Sequence, residues 1–533
     1  MKTLHLLLSA LLFSQVLVGQ RLVKELTPGS AGTFMSYYGN TKNGFIFSVY
    51  TNEYGIEPWV SNGTANGTKL LKDIVDGPNG SMMTDYYYSN DSMIFFVAYE
   101  NGKYKLWRTD GTSNGTIKLF DFESNPPVKY YDEGIICNGK FYFNHPHGGK
   151  NSLWSTDGSV AGTQLVYQFN DSGTYARISL NQWKGELIFF AGDKLYGMEL
   201  WRSDGTTQGT RMIKDIYPGA VGSVQLNRTR MAEAGGRLFF AARSSEEIGD
   251  ELYVTDGTEE GTELFFNIEP NPYYHSSPQI VQSNDSFFLF NTQGNLGKAW
   301  KSDGTLSNTK LILDTGKDSL NYTWVYNATP FKDGYLLYLY TTEFSAEPYI
   351  CDKNFNNIKI LKDINPGSNS SFISDKFYQR GSKSYFLAAN NMLGNDIWIT
   401  DGTYENTLVY LELLTGNSGA ENLFEWNGRL FYIGTMDLAI GNELYELNIE
   451  NTGITSTKIK TFSLYPNPVK AGHTITLSET ECAFQLYNTF GQLVLEGHST
   501  DGKCLIPEQL PTGLYTLSLI SDQTRQTTKL NIE

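Results

Sequence analysis

One phrase recurs down this chain: an acidic residue, an aromatic, then Asp-Gly-Thr and Gly-Thr. It is clearest at Glu199-Leu200-Trp201-Arg202-Ser203-Asp204-Gly205-Thr206, followed by Gly209-Thr210. The aromatic returns at Trp59, Trp107, Trp154, Trp201, Tyr253, Trp300, Tyr349, Trp398 and Tyr445, with gaps of 48, 47, 47, 52, 47, 49, 49 and 47 residues. A repeat of this length, made of short strands, predicts a propeller or a similar array, because one such unit cannot bury a core alone.

Three residues after each of the first eight aromatics stands Asn62, Asp110, Asp157, Asp204, Asp256, Asp303, Asp352 or Asp401. Eight residues after them stands Gly67, Gly115, Gly162, Gly209, Gly261, Asn308, Asn357 or Asn406. These residue types tolerate left-handed backbone and cap tight turns, so a turn is expected here between two strands. Upstream of each aromatic runs an apolar strand such as Arg237-Leu238-Phe239-Phe240-Ala241, and before it another short one such as Leu423-Phe424-Glu425-Trp426. Each unit therefore reads as four strands, a to d, with the aromatic on c and the Asp-Gly-Thr turn joining c to d.

The chain ends carry the closure. The last unit stops after its c strand, Glu443-Leu444-Tyr445-Glu446-Leu447, and lacks a d strand. Near the N-terminus lies an orphan one, Leu22-Val23-Lys24-Glu25-Leu26, followed by Pro28-Gly29-Ser30 in the manner of Lys362-Asp363-Ile364 and Pro366-Gly367-Ser368. The expected fold is all-β: a propeller of about nine blades whose final blade is completed by the N-terminal strand, which would remove an exposed edge. Nine exceeds the usual four to eight or so blades, the unit around Tyr349 is degenerate, and an open curved array is the alternative.

The net charge of -16 argues against nucleic acid and anionic membranes as partners. Lys2 followed by the apolar run Leu4 to Val18 reads as a signal peptide over 1–20. No later stretch has 18 continuous apolar residues, so no membrane-spanning segment is expected in the mature chain. Cys137, Cys351, Cys482 and Cys504 match no metal or redox spacing; Cys482 and Cys504 could pair in an oxidising compartment, while Cys137 and Cys351 are expected as buried thiols.

On the residues 199–206 and their weaker copies, the segment 21–450 resembles the ELWxxDGT repeat family, secreted or surface proteins of bacteria that use type IX secretion. The family has no generally assigned activity. The turn also looks like the Asp-box of sialidase propellers, a structural turn that carries no catalytic implication. After a polar linker, 451–460, the segment 461–533 is similar to the type A C-terminal sorting domain of type IX secretion. The matching blocks are Leu464-Tyr465-Pro466-Asn467-Pro468, then Phe484 to Val494, then Leu510-Pro511-Thr512-Gly513-Leu514-Tyr515. Read from its residues alone, this segment is a small β-sandwich of alternating apolar strands with Gly turns. The resemblance implies the type IX machinery as a partner, export through the periplasm, and a secreted or outer-membrane surface location.

Calcium would need about six to eight oxygen ligands at one point, which one Asp per blade does not supply, so the Asp residues read as turn caps and no metal or cofactor is expected. His145-Pro146-His147 is the one close histidine pair, with no acidic partner nearby in sequence. If d is outermost, strand a lines the channel, and tyrosines recur there at 37–38, 86–88, 130–131 and 273–274. Tyr38, Tyr87, Tyr131 and Tyr274 are the candidate ligand residues, because a tyrosine ring with polar neighbours suits a sugar. The competing reading turns half of them into blade interfaces. No GxSxG, HExxH or P-loop is present, so no catalytic residue is assigned. The reading is a secreted or cell-surface binding or adhesion module for a glycan or protein. The alternatives are a glycan hydrolase or lyase acting at the channel mouth, and a structural component of the cell coat.

Overall fold

The computed structural model describes residues 20–26, 34–81, 87–90, 92–123, 134–170, 178–224, 230–268, 278–284, 286–292, 297–314, 323–367, 369–390, 394–411, 413, 419–437, 441–449, 467–477, 482–487, 493–521 and 524–533. The chain divides into two compact units, Met1–Ile449 and Glu450–Glu533. The signal segment and the linker fall outside the described residues, apart from Gln20.

The first unit contains, among the described residues, nine four-stranded antiparallel sheets in the order a-b-c-d. Blade 4 is representative: Ile178–Trp183, Glu186–Asp193, Gly197–Ser203 and Arg211–Lys214. Blade 1 spans 35–70, blade 2 87–121, blade 3 135–168, blade 5 232–266, blade 6 279–314, blade 7 324–360 and blade 8 378–411. Blade 9 has strands a to c within 422–447, and its d strand is Gln20–Lys24, paired antiparallel with Gly441–Leu447.

The ring is closed, and the apolar side chains show it. Nine buried clusters each join two neighbouring blades. An open row of nine would have one interface fewer. The closing cluster sets Val23, Phe424, Phe431 and Leu444 of blade 9 against Phe45, Phe47 and Trp59 of blade 1. Each large apolar side chain buried this way contributes about 2 kcal/mol. All nine repeat aromatics lie in these interfaces, as the repeat predicts. Strands a touch between blades 1 and 2, 3 and 4, 5 and 6, 6 and 7, and 9 and 1, which makes a the innermost strand.

The turns explain the motif. In blade 4 the Asp204 Oδ1 accepts the Thr206 N–H (2.9 Å) and hydroxyl (2.7 Å), and Thr206 Oγ1 accepts the Gly209 N–H (2.9 Å). The Thr210 hydroxyl meets Ser203 Oγ at 2.7 Å across the base of the turn. The left-handed residue of the turn is Gly205, with φ 89°, one place after the aspartate. Gly209 is not left-handed, which corrects the reason for glycine there. A Cβ on it would lie 2.0 Å from Asp204 Oδ1, so close approach is what favours glycine. Where the residue is Asn308 or Asn406, its amide instead donates to the turn aspartate at 2.7 and 2.8 Å.

The second unit has a four-stranded sheet ordered Leu493–Ser499, Cys482–Tyr487, Gly513–Ser521, Thr524–Ile532, and a two-stranded one of Thr474–Thr476 with Lys503–Leu505. Ile475, Leu486, Ile506, Leu517 and Leu530 form its core, where Cys504 is also buried. The Cys482 side chain lies outside the described residues.

Candidate functional site

The acidic residue two places before the aromatic proves to be a tether. Glu57, Glu199, Glu251, Glu347, Asp396 and Glu443 are all 0% exposed. Each accepts a main-chain N–H at the foot of the loop leading from strand d to the next strand a. In blade 4, Ile216 and Tyr217 donate to Glu199 at 3.0 and 3.1 Å. In blade 9, Leu26 donates to Glu443 at 2.9 Å, so the N-terminal strand is held by the same device. Burial pushes Glu57, Glu199 and Glu347 up to about 7, against the lowering effect of their hydrogen bonds.

The inner strands carry a cavity of about 350 Å³ between blades 6, 7 and 8. Val281, Tyr326, Asn327, Thr329, Asp375, Lys376, Phe377 and Tyr378 line it. Val281 and Tyr326 stand at β-bulges of their strands, where an extra residue re-aims a side chain. The Tyr326 ring stacks on Phe372 at 4.3 Å and 18°. Asn327 accepts the Tyr338 N–H at 2.9 Å through Oδ1 and donates to the Asp375 carbonyl. Tyr378 donates its hydroxyl to Leu423 O at 2.6 Å. Asp375 and Lys376 are exposed at the rim. Fixed aromatic faces beside a few oriented polar groups are what a small polar ligand with an apolar face requires.

The predicted tyrosines fare differently. Tyr38 is 0% exposed and packs with Ile46, Val60, Ile94 and Phe96 between blades 1 and 2. The register shift between Tyr37 and Gly39 puts Tyr38 at a bulge, as Tyr326 is in blade 7, but in blade 1 the bulge turns the ring into the interface. It offers no face to a ligand. Tyr87 pairs with Phe96 on strand a, and its side chain lies outside the described residues, as do Tyr131 and Tyr274. Tyr326 and Tyr378 were missed because neither belongs to a tyrosine cluster, and they stand at different registers of strand a, so no repeated position marks them.

The histidine pair gains an acid that sequence distance hid. Glu123, from the loop after blade 2, accepts from His147 Nδ1 at 2.7 Å, and its main-chain N–H donates to His145 Nε2 at 3.1 Å. Burial pulls His145 down to about 4, the neutral state that accepting a main-chain N–H requires. Glu123 is lowered by the Gly148 N–H and then by His147. Among the described residues no three His, Cys, Asp or Glu side chains gather as a metal-binding group.

Residues 463–533 match the secretion system C-terminal sorting domain family. This tail marks the chain for type IX export to the cell surface or beyond it, and no described helix is long and apolar enough to cross a membrane. No curated protein matches the chain. Among solved structures, PorZ, an essential surface component of the type IX secretion system of Porphyromonas gingivalis, is 12% identical over 94% of this chain and 75% of its own, with TM-score 0.30. The β-propeller domain of the Trilobed protease from Pyrococcus furiosus is 11% identical over 62% of this chain and 97% of its own, with TM-score 0.32. Puromycin hydrolase is 12% identical over 65% of this chain, which spans 58% of the hydrolase, with TM-score 0.34. None of these likenesses bears on ligand or chemistry.

Proposed function

We propose that the protein is an exported binding module, built of ELWxxDGT-type repeats behind a signal peptide, that takes a saccharide in the cavity between blades 6, 7 and 8. The observation that carries this is the pairing of Tyr326, Asn327 and Tyr378 on the inner strands with Asp375 and Lys376 on the loop before strand a of blade 8. A sugar ring has an apolar face for the tyrosines and hydroxyls for the polar groups. Binding is favoured over cleavage because glycosidases generally use two carboxyl groups about 5–10 Å apart. Among the described lining residues Asp375 is the one acid.

The test is binding of the full chain to a panel of polysaccharides, with product analysis on the same samples. The expected result is binding without cleavage, weakened about tenfold by Tyr326→Ala, since loss of an aromatic contact is worth roughly 0.5–1.5 kcal/mol beyond its area. Cleavage products, or equal binding by the variant, would refute the reading.

A further inference from the structure

Glu347 lies on strand c of blade 7, Ser345–Asp352, and is fully buried. Its carboxyl fastens the loop that runs from strand d of blade 7 to strand a of blade 8, residues 361–377. Ile364 N–H donates to Oε2 at 3.0 Å, Asn365 N–H to Oε1 at 3.2 Å and the Ser371 hydroxyl to Oε2 at 2.7 Å. The second half of that loop builds the cavity wall. Phe372 stacks on Tyr326, the Asp375 carbonyl receives Asn327, and Asp375, Lys376 and Phe377 line the space. The carboxyl and the cavity are thus joined by one short piece of chain.

We propose that Glu347 is a positioning residue that makes the cavity wall respond to pH through the loop 361–377. The proposal rests on the cavity being the ligand site. The groups facing Glu347 come from every neighbouring element. Asp363, on the loop, has one oxygen buried without a hydrogen-bond partner. Tyr338 and Tyr349 approach from strands b and c, and Ser371 from the loop. Lys362, beside Asp363 in sequence, instead sits over the Tyr404 ring of blade 8 at 4.4 Å.

The sign follows from linkage. Burial raises Glu347 from 4.5 to about 7, and Asp363 adds to the rise. The closed loop therefore holds the proton more tightly than an open loop with a solvated carboxyl would. Its preference for the closed form is complete below about 4.5 and is lost as pH rises through about 7. For full solvation of the carboxyl on opening, the open fraction grows about tenfold between pH 6 and pH 8.

Amide hydrogen exchange on the full chain, corrected for intrinsic rates, reads this without any ligand. Peptides over 361–378 should exchange several-fold faster at pH 8 than at pH 6. Glu347→Gln, which has no titrating proton, should flatten the response. Asp363→Asn keeps the tether but lowers the carboxyl, and should shrink the change between pH 6 and 8. A response-free wild type, an unaltered response in Glu347→Gln, or a response confined to 361–371 and absent from 372–378 would overturn the proposal. A blank polysaccharide panel with the expected exchange pattern would instead sink the ligand reading and leave the loop device standing.

Discussion

Blade 4 is one continuous piece of chain; blade 9 is assembled from both ends of its unit. Their contacts are nonetheless the same. Glu199 holds the Ile216 N–H in blade 4, and Glu443 holds the Leu26 N–H in blade 9. Lys214 reaches the Thr262 carbonyl of the next blade, and Lys24 reaches the Thr68 carbonyl of blade 1. Arg202 is braced by Glu186 and donates to Gly257 O of the next turn; Arg429 is braced by Glu446 and donates to Gly63 O. Blade 9 adds Arg21, which shares Glu446 with Arg429. It has no covalent c–d turn, and a second cation on the same acid tightens the join. Propeller closure here depends on repeating an interface, whether or not the strands of a blade are contiguous in sequence.

That comparison can be broken most strongly at the seam. Deleting residues 20–26 removes strand d of blade 9, the Glu443 tether and the Val23 contact in the closing core. Stability should fall by several kcal/mol, since stripping even one large core side chain costs about 2–5 kcal/mol. Calorimetry showing an unchanged melting temperature would mean that the ring does not need its clasp.

A smaller effect separates the two blades by the turn that only blade 4 possesses. Asp204→Ala removes the acceptor of two hydrogen bonds in an exposed loop and should cost about 1–2 kcal/mol. Chemical denaturation of the purified chain checks this; a loss as large as that of the clasp deletion would show that the turn, and not the interface, dominates.

An effect of comparable size is electrostatic. Glu199 is raised to about 7 from 4.5 by burial, so its contribution to stability is fully present below about 4.5 and is lost as pH rises through about 7. The loss is on the order of 1–3 kcal/mol. Glu199→Gln should therefore reduce the fall in melting temperature between pH 5 and pH 8. A fall as steep as in the wild type would assign the pH dependence to other groups.

The strand order, the turn position, the burial of the nine aromatics and the clasp were all legible in the residues, because the blade is a local pattern that recurs nine times, its turn eight times, and the one missing strand stands out against it. Repetition turns weak signals such as Asp-Gly-Thr into a register, and register determines which strand each residue occupies. The tether was half legible: the acid before the aromatic was plain, but its partner lies 17 residues away and is a main-chain N–H, which has no letter in a sequence. Glu123 beside His147 joins two blades and was hidden for the same reason. The ligand cavity was not legible at all. Tyr38 and Tyr326 both stand at bulges of strand a, yet Tyr38 follows the residue in register with Trp59 and is sealed between blades, while Tyr326 follows the residue in register with Glu347 and lines the cavity. Residue type is the same for both; where the bulge falls along the strand, and how the neighbouring blades pack there, decides which ring meets a ligand. Sequence by itself determined the ring and its sorting tail, since these rest on periodic burial and short-range turns. Tertiary structure alone decided the site, because a cavity is made by side chains that three different blades bring together.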